Sequence, residues 1–475
     1  MIKTRGGEQG DNRDLRILHA IHDFLPRHRA GSEVYAFGLC QELASRHHVS
    51  VVCAEFDPAR PHATLAWRQT GGLPVVEIVN NWRIRAFEDT YRCPAVTARL
   101  ADVLSMVHPD VVHVHNLLNL SFELPALARA RGIPVVATLH DYTLVCASGG
   151  QRLHRADQHV CSTIDPDRCA RCFRESPFYA QATLGTLARA TRAPAAVRRT
   201  ARAVHHRLPR AAAAVAGLLQ RGPGFRVTPG DVERRLEAAR EVFANVDLFV
   251  APSQSMAREF EALGIPASRL RVSGYGLPPP APATDTSHAR RLRLGYVGTI
   301  VWHKGIHVLL DALRAVPQDA VELLIFGDPG VFPGYTASLV EQARGLPVTW
   351  MGPFDVADAA AAYAQIDALV VPSIWLENSP LVIHEALMAG RPVIGARIGG
   401  IPELVQHERN GLVYHATSSS DLAVAIQRLL SEPGLLAGLA EGARGTPVKS
   451  TAADAREWET VYAGLIDSRR REARR

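Results

Sequence analysis

Short, nearly uniform runs of β-branched and other apolar residues alternate with longer helical patterns along this chain, and they do so in two separate series. That alternation restricts the architecture more than any other feature, because it is the mark of parallel strands joined by crossover helices. In the first series the strand candidates are residues 15–21, 49–54, 75–79, 111–115, 135–139 and 248–251. Several are apolar throughout, as strands covered on both faces must be. Helical patterns lie between them, for instance over 32–45 and 122–131. A proline-rich run, LPPPAPA over 277–283, then breaks the pattern and continues as a polar stretch to residue 290. Such composition suits a stiff inter-domain linker. The alternation restarts at 292–297, 323–326, 348–351, 368–372 and 392–396, and helical segments at 421–430 and 452–465 follow. The expected fold class is α/β, with two Rossmann-like, doubly wound parallel-sheet domains over 1–276 and 291–450, a linker over 277–290, and a C-terminal helix with a basic tail over 451–475.

Length agrees, since 475 residues exceed what one ordinary core accommodates. A hydrophobic fraction of 47% with 21% charged residues is that of a soluble globular chain. No apolar run approaches the roughly 20 residues that a membrane-spanning helix needs. The polar first fourteen residues lack the apolar centre of a signal peptide, so a cytoplasmic location is expected. Seven cysteines in a chain of this length and expected location do not form a disulfide framework. Of 53 basic residues only Lys3, Lys304 and Lys449 are lysine, which makes an internal lysine conspicuous.

The segment 370–414 reads VVPSIWLENSPLVIHEALMAGRPVIGARIGGIPELVQHERNGLVY. A buried strand ends near Pro372 and a loop carries Glu377. Ser379 is then expected to cap a helix with Pro380 at its first position, where a missing N–H costs nothing. Gly390 and Pro392 end that helix. A helix N-terminus after a parallel strand presents free amides and the positive end of the dipole, which suits a diphosphate. Glu377 would stand beside those amides and Glu385, inside the helix, at the far end of an elongated ligand.

The stretch resembles the donor-binding signature of retaining family 4 glycosyltransferases, a Glu-x7-Glu pair followed by EA-x-x-x-G-x-PV and GG-x-PE…G. The matching residues are Glu377 and Glu385, Ala386, Gly390, Pro392-Val393, Gly399-Gly400, Pro402-Glu403 and Gly411. The resemblance implies a GT-B fold, two facing Rossmann-like domains with the donor in the cleft and the C-terminal helix crossing back to the first domain. It would place Glu377 on the transferred sugar, Glu385 on the ribose, and the backbone around Asn378, Ser379, Pro380 and Leu381 on the diphosphate. The run 294–310 (LGYVGTIVWHKGIHVLL) is similar to the family's first strand and turn of the second domain, with Gly298 beside the donor and Lys304 against the departing diphosphate. Thr299 stands where many relatives carry a diphosphate-binding arginine, a role that would then fall to His303 or to an arginine elsewhere. In the first domain, HRAGSE over 28–33 resembles the family's glycine-bearing loop, with Gly31 and Ser32 near the donor phosphate. His140, after a strand in Thr138-Leu139-His140-Asp141, would contact the sugar. Catalytic roles are thereby expected for Glu377, Lys304 and His140, with no catalytic metal or cofactor. His113 and His115 share one face of a strand and are expected to be structural or cleft-lining.

An insertion over about 143–245 lies outside this pattern. Cys146, Cys161, Cys169 and Cys172 are spaced C-x14-C-x7-C-x2-C, which is compatible with a structural zinc site and equally with four reduced, partly buried thiols. Cys40, Cys53 and Cys93 fall on core elements as packing residues. No acid occurs between Ser176 and Gly230, whereas Arg189, Arg192, Arg198, Arg199, Arg202, Arg207, Arg210, Arg221 and Arg226 do. Such helices either lie on an anionic membrane surface or present a solvated face. With the tail arginines 469, 470, 471, 474 and 475 they suggest peripheral association with the inner face of a membrane. Asp165-Pro166-Asp167 is a D-x-D with no strand before it. The absence of a P-loop and of G-x-G-x-x-G after the first strand disfavours an ATPase and a nicotinamide enzyme.

The expected activity is retaining transfer of a sugar, from a UDP- or GDP-type donor, to a glycan or lipid-linked acceptor in cell-surface polysaccharide synthesis, without nucleic acid as a partner. Two alternatives stay open: a sugar-nucleotide-binding protein of this fold that lacks turnover, and a GT-B sugar-nucleotide epimerase.

Overall fold

The computed structural model describes residues 14–57, 59–154, 159–176, 178–179, 182–183, 226–278, 291–354 and 359–474. Most of the arginine-rich tract (residues 189–221), residues 279–290 of the linker, and residues 1–13 and 475 lie outside the described residues.

The first sheet is built from β1 (Arg16–Ala20), β2 (His48–Glu55), β3 (Leu65–Thr70), β4 (Leu73–Val79), β5 (Val111–Val114), β6 (Val135–Thr138), β9 (Leu248–Ala251) and β10 (Leu270–Val272), with a separate hairpin β7 (Leu153–His154) and β8 (His159–Val160). Its order is β10-β9-β6-β5-β1-β2-β4-β3, parallel except where β3 pairs antiparallel with β4. Helices α1 (Gly31–Ala44), α2 (Pro94–Val107), α3 (Leu124–Arg129), α4 (Pro166–Glu175), α5 (Pro229–Asn245) and α6 (Gln254–Ala262) accompany it. The second sheet has the order β13-β12-β11-β14-β15-β16, formed by β11 (Leu292–Val297), β12 (Val321–Phe326), β13 (Val348–Gly352), β14 (Ala368–Val371), β15 (Val393–Ala396) and β16 (Gly411–Tyr414). Its helices are α7 (Ile306–Leu313), α8 (Pro333–Gln342), α9 (Ala359–Ala364), α10 (Leu381–Met388), α11 (Ile401–Leu404), α12 (Ser419–Ser431) and α13 (Leu435–Arg444).

In each sheet the chain winds outward in one direction and then resumes on the other side of its first strand. The order therefore reverses between β1 and β5 and again between β11 and β14. Such switch points open a crevice at the carboxyl ends of the strands, because the loops on either side lead away from each other. The loops after β11 and β14 carry Lys304 and Glu377, and the loops after β1, β5 and β6 carry the 22–30 segment, His115 and His140.

The last helix, α14 (Thr451–Ala473), packs on α1 of the first sheet. Ser450 caps it through its hydroxyl, which accepts from the Ala453 amide at 3.2 Å. Its buried face carries Trp458 and Tyr462, which belong to the same apolar cluster as Ile17, Leu39 and Val51. Tyr35 Oη donates to Asp454 at 2.9 Å, Trp458 Nε1 donates to Tyr35 Oη at 3.1 Å, and Tyr462 Oη lies 2.7 Å from His113 Nδ1. Among the described residues no single helix is long and apolar enough to cross a membrane.

Candidate active site

The second-domain side of the site is set by three backbone contacts that admit only glycine. Gly305 has φ +74, and a Cβ there would lie 1.8 Å from the Pro372 carbonyl oxygen, so the turn carrying Lys304 presses directly on the loop after β14. From below, a Cβ on Gly399 or Gly400 would come within 2.2 Å of the Glu377 carbonyl and 1.9 Å of the Asn378 carbonyl respectively. The Gly400 amide donates to the Glu377 carbonyl at 2.8 Å. The loop 373–380 is thus held between two bare backbone surfaces, and its side chains are placed by that clamp.

Lys304 Nζ lies 2.7 Å from Glu377 Oε1 and 5.2 Å from the centre of the Trp375 ring. Glu377 is 1% exposed and also accepts from the Ser373 hydroxyl. A carboxylate this buried requires a cation and donors to remain charged, and the chain supplies one of its three lysines.

The helix expected to begin at Pro380 begins one residue later, with Pro380 (φ −59, ψ 119) as its N-cap. Ser379 does not cap it. The extended ψ of Pro380 turns the chain before the helix, and the Ser379 hydroxyl pairs with His384 Nε2 at 2.9 Å instead. The Ser379 amide is taken by the Asn378 side-chain oxygen at 2.5 Å. The Leu381 amide remains at the helix mouth, where a first-turn N–H has no intrahelical acceptor. Glu385 accepts from Tyr363 Oη at 2.8 Å, and burial raises its pKa. Gly298 has φ +142, and the Thr299 carbonyl accepts from Tyr296 Oη at 2.7 Å.

On the first-domain side, Gly31 opens α1 facing Leu381: a Cβ on Gly31 would meet the Leu381 side chain at 3.7 Å. Ser32 Oγ donates to Glu33 at 3.2 Å. His140 stands at the end of β6 with its ring turned inward, into a chain of neutral imidazoles. His140 Nδ1 is 2.8 Å from Tyr275 Oη, His140 Nε2 is 2.9 Å from His115 Nδ1, and His115 Nε2 is 2.9 Å from His19 Nδ1. Burial lowers the pKa of His19 and of His140 to about 3, with the charge of His22 adding to the effect at His140. Burial first, then neighbouring imidazoles, holds His113 and His115 well below the ordinary range.

Polar contacts also join the domains at this point. The Asn378 side-chain amide donates to the His140 backbone carbonyl and, at 3.2 Å, to Tyr275 Oη. The Glu403 carboxylate accepts from the Gln254 and Ser255 amides at 2.7 and 2.6 Å. With Tyr275 accepting from Asn378, its own hydrogen is free for His140 Nδ1. Each imidazole then passes its Nε2 hydrogen to the next ring, and the chain ends on His19 Nε2, a buried atom without a partner.

Among the described residues, two groups bring three histidine or carboxylate ligand atoms within 4.8 Å: His19 with His113 and His115, and His22 with Asp23 and Glu33. The first is a stack of rings, with centroids 4.2–5.2 Å apart. Five of its six ring nitrogens are engaged by hydrogen bonds and only His19 Nε2 is left over, so it does not offer three free lone pairs to one ion. The four insertion cysteines are unbridged, and no three of their sulfurs come that close. Asp165 of the D-x-D caps α4, accepting from the Arg168 amide at 3.1 Å with Pro166 in the first turn, which is a structural use.

Sequence reasoning did not assign roles to Tyr275, Trp375, Tyr363 and Glu403. Trp375 and Glu403 lay within the quoted segment 370–414, and the contact of Glu403 with α6 depends on how the two domains meet.

Residues 29–165 match the Glycosyltransferase Family 4 sequence model and residues 291–432 match Glycosyl transferases group 1. Both halves of the chain are thus similar to glycosyltransferase sequence families. It is 30% identical over 265 residues to a D-inositol 3-phosphate glycosyltransferase of Rhodococcus jostii, covering 51% of this chain and 56% of that protein. It is 26% identical over 201 residues to a sulfoquinovosyl transferase of Arabidopsis thaliana, covering 39% and 38%. The chain spans about half the length of the curated relatives it matches. Among solved structures, Anabaena HepE in complex with UDP and glucose superposes with a TM-score of 0.62 at 16% identity, covering 94% of this chain and 99% of that one. Sucrose-phosphate synthase from Thermosynechococcus elongatus gives 0.66 at 18% identity, covering 95% and 99%. The fold is GT-B.

Proposed function

We propose that this protein is a retaining glycosyltransferase that moves a sugar from a nucleoside diphosphate donor, of UDP or GDP type, to a glycan or lipid-linked acceptor. The observation that carries this reading is the Lys304–Glu377 pair at 2.7 Å, held at the switch point of the second sheet beside a helix mouth. A diphosphate entering there meets one lysine ammonium, the Leu381 amide and the positive end of α10. Lys304 then stabilises the charge that grows on the departing phosphate as the glycosidic bond breaks, and Glu377 is released to accept from hydroxyls of the transferred sugar. Glu385 takes the ribose. No side chain placed as a nucleophile is needed: the acceptor oxygen bonds to the anomeric carbon on the face the diphosphate leaves, and the leaving phosphate oxygen takes the acceptor's proton. The UDP and glucose named for the HepE structure support a sugar-nucleotide donor by likeness of fold.

For the acceptor, Arg470, Arg471 and Arg474 on the exposed end of α14 favour an anionic membrane surface. Arg469 contributes less, being paired with Asp247 at 2.5 Å and Glu472 at 3.0 Å. Co-sedimentation with anionic but not neutral vesicles is expected, and equal binding to both removes this part of the proposal.

The test of activity is release of free nucleoside diphosphate from a panel of UDP-, GDP-, ADP- and dTDP-sugars, with binding followed in parallel. Slow release from one donor, lost in Glu377→Ala, supports transfer. Tight binding with no release, even with lipid extract as acceptor, favours the binding-protein alternative, and conversion of the donor sugar without release favours an epimerase.

A further inference from the structure

The side chain of Asn378, the residue after Glu377, has one orientation that satisfies its neighbours. Its oxygen accepts from the Ser379 amide at 2.5 Å, since a backbone N–H can only donate. Its NH2 then donates to the His140 carbonyl, which can only accept. The same NH2 donates to Tyr275 Oη at 3.2 Å. A phenol carries a single hydrogen, so that of Tyr275 is directed at His140 Nδ1, 2.8 Å away. A direction of donation is thereby imposed on groups of the first domain by a side chain of the second.

The Tyr275 ring itself is held in place. It is buried, with its centre 4.4 Å from that of Tyr35 and 5.4 Å from that of His140. Tyr35 is pinned by Asp454 and Trp458 of α14, and the Gly276 amide donates to the same Asp454 at 3.1 Å. Only the hydroxyl hydrogen is left to be set, and Asn378 sets it. Without Asn378 the hydroxyl can donate to water and accept from His140 Nδ1, and His140, His115 and His19 can then all carry their hydrogen on Nδ1. One hydrogen enters from water at Tyr275 and one leaves at His19 Nε2, so every ring stays neutral. With Asn378 in place, that second arrangement strands the Tyr275 hydrogen in a buried site, which folded proteins avoid.

We infer that Asn378 and Tyr275 are positioning residues for sugar transfer. When the domains meet, they fix His140 as its Nε2–H tautomer and hold the end of β6 in register with the loop that carries Glu377. The inference rests on the reading of this cleft as a glycosyl-transfer site, in which the transferred sugar lies between His140 and Glu377. Both ring nitrogens of His140 are used in the lock, by Tyr275 and His115. His140 therefore serves the sugar as a fixed surface and not as an acid or base. Because the lock needs groups from both domains, a donor held by the second domain alone meets a His140 that is not yet set.

The test is nitrogen NMR of the full-length protein labelled on histidine, free and with UDP or GDP, with His140→Gln used to identify the His140 signals. The wild type is expected to carry the His140 hydrogen on Nε2 alone. Tyr275→Phe, which keeps the ring and removes the hydroxyl, and Asn378→Ala should each give both tautomers. In nucleotide-release assays Tyr275→Phe should lower kcat about tenfold or more while donor affinity stays within about threefold, a split that loss of a purely structural hydrogen bond does not produce. A wild type with the hydrogen on Nδ1 or with mixed tautomers in every sample, a single Nε2–H tautomer retained in both variants, or an unaltered kcat in Tyr275→Phe overturns the inference. If the wild type turns over no donor, the transfer reading falls, and the tautomer measurement still decides the lock. Should Tyr275→Phe fail to fold, the wild-type and Asn378→Ala spectra decide.

Discussion

Glu403 of the second domain caps a helix of the first: its Oε2 receives the Gln254 amide at 2.7 Å while Oε1 receives that of Ser255 at 2.6 Å. A carboxylate at a helix N-terminus satisfies amides that the helix itself cannot, and it also meets the positive end of the dipole. Because donor and acceptor belong to different domains, the contact exists only when these surfaces meet. Glu403→Ala should lose about 1 kcal/mol of this capping and weaken the closed arrangement, with little change in the melting of either sheet. Small-angle scattering with and without nucleotide, together with donor KM, reads this out. An unchanged scattering profile and KM would remove Glu403 from domain coupling.

The pair Lys304 and Glu377 predicts an asymmetric mutational pattern. Lys304→Ala leaves a carboxylate that is 1% exposed with only Ser373 to support it, so it should cost stability as well as turnover. Glu377→Gln removes the buried charge and should keep the melting temperature within a few degrees. Both should lower transfer by about 100-fold or more, the usual scale for loss of one transition-state electrostatic contact. Thermal melts alongside nucleotide release check the pattern, and near-normal turnover in either variant would sink the catalytic roles.

Gly400→Ala tests the clamp on the Glu377 loop. The new Cβ would sit 1.9 Å from the Asn378 carbonyl oxygen, and backbone on both sides cannot give way cheaply. Displacement of the loop should abolish donor binding by calorimetry while circular dichroism stays that of the wild type. Retained affinity would show that the loop adapts.

The buried histidines predict acid sensitivity of a definite sign. His19 and His140 titrate at about 3 in the folded chain against an ordinary value of 6.5. Between those values the unfolded chain binds more protons, so stability is intact above pH 6.5 and declines as pH falls toward 3. Once pH is well below 6.5, each such histidine contributes a slope of about 1.4 kcal/mol per pH unit. Urea titrations at a series of pH values measure it, and His19→Asn should flatten the slope by about one proton's worth. A stability independent of pH from 7 to 5 would contradict the burial.

The strands at 248–251 and 292–297 were legible to the residue, because short, largely apolar runs between polar breaks suit strands covered on both faces. β3 was not, since Trp67, Arg68 and Gln69 on an antiparallel edge show no continuous apolar run. β10 is three residues long and escaped for the same reason. At the candidate site, the quoted motifs named Lys304 and Glu377, which the fold brings to 2.7 Å, while the inward turn of the His140 ring was not readable. Its orientation depends on Tyr275, His115 and His19, which come from distant parts of the chain and meet only in the folded sheet. The cap at Pro380 was misread by one residue because ψ at a proline is set by the loop that precedes it, which the sequence does not display.

Helix α14 also bears on synthesis. Trp458 and Tyr462 fill the core beside Tyr35 and His113, and truncating a buried aromatic of this kind typically removes about 3–5 kcal/mol. The first sheet is translated long before residues 451–473 emerge, so on the ribosome it waits with that groove open. Its folding is finished by the segment made after the whole second domain, which ties the arrival of a complete first domain to the synthesis of its partner.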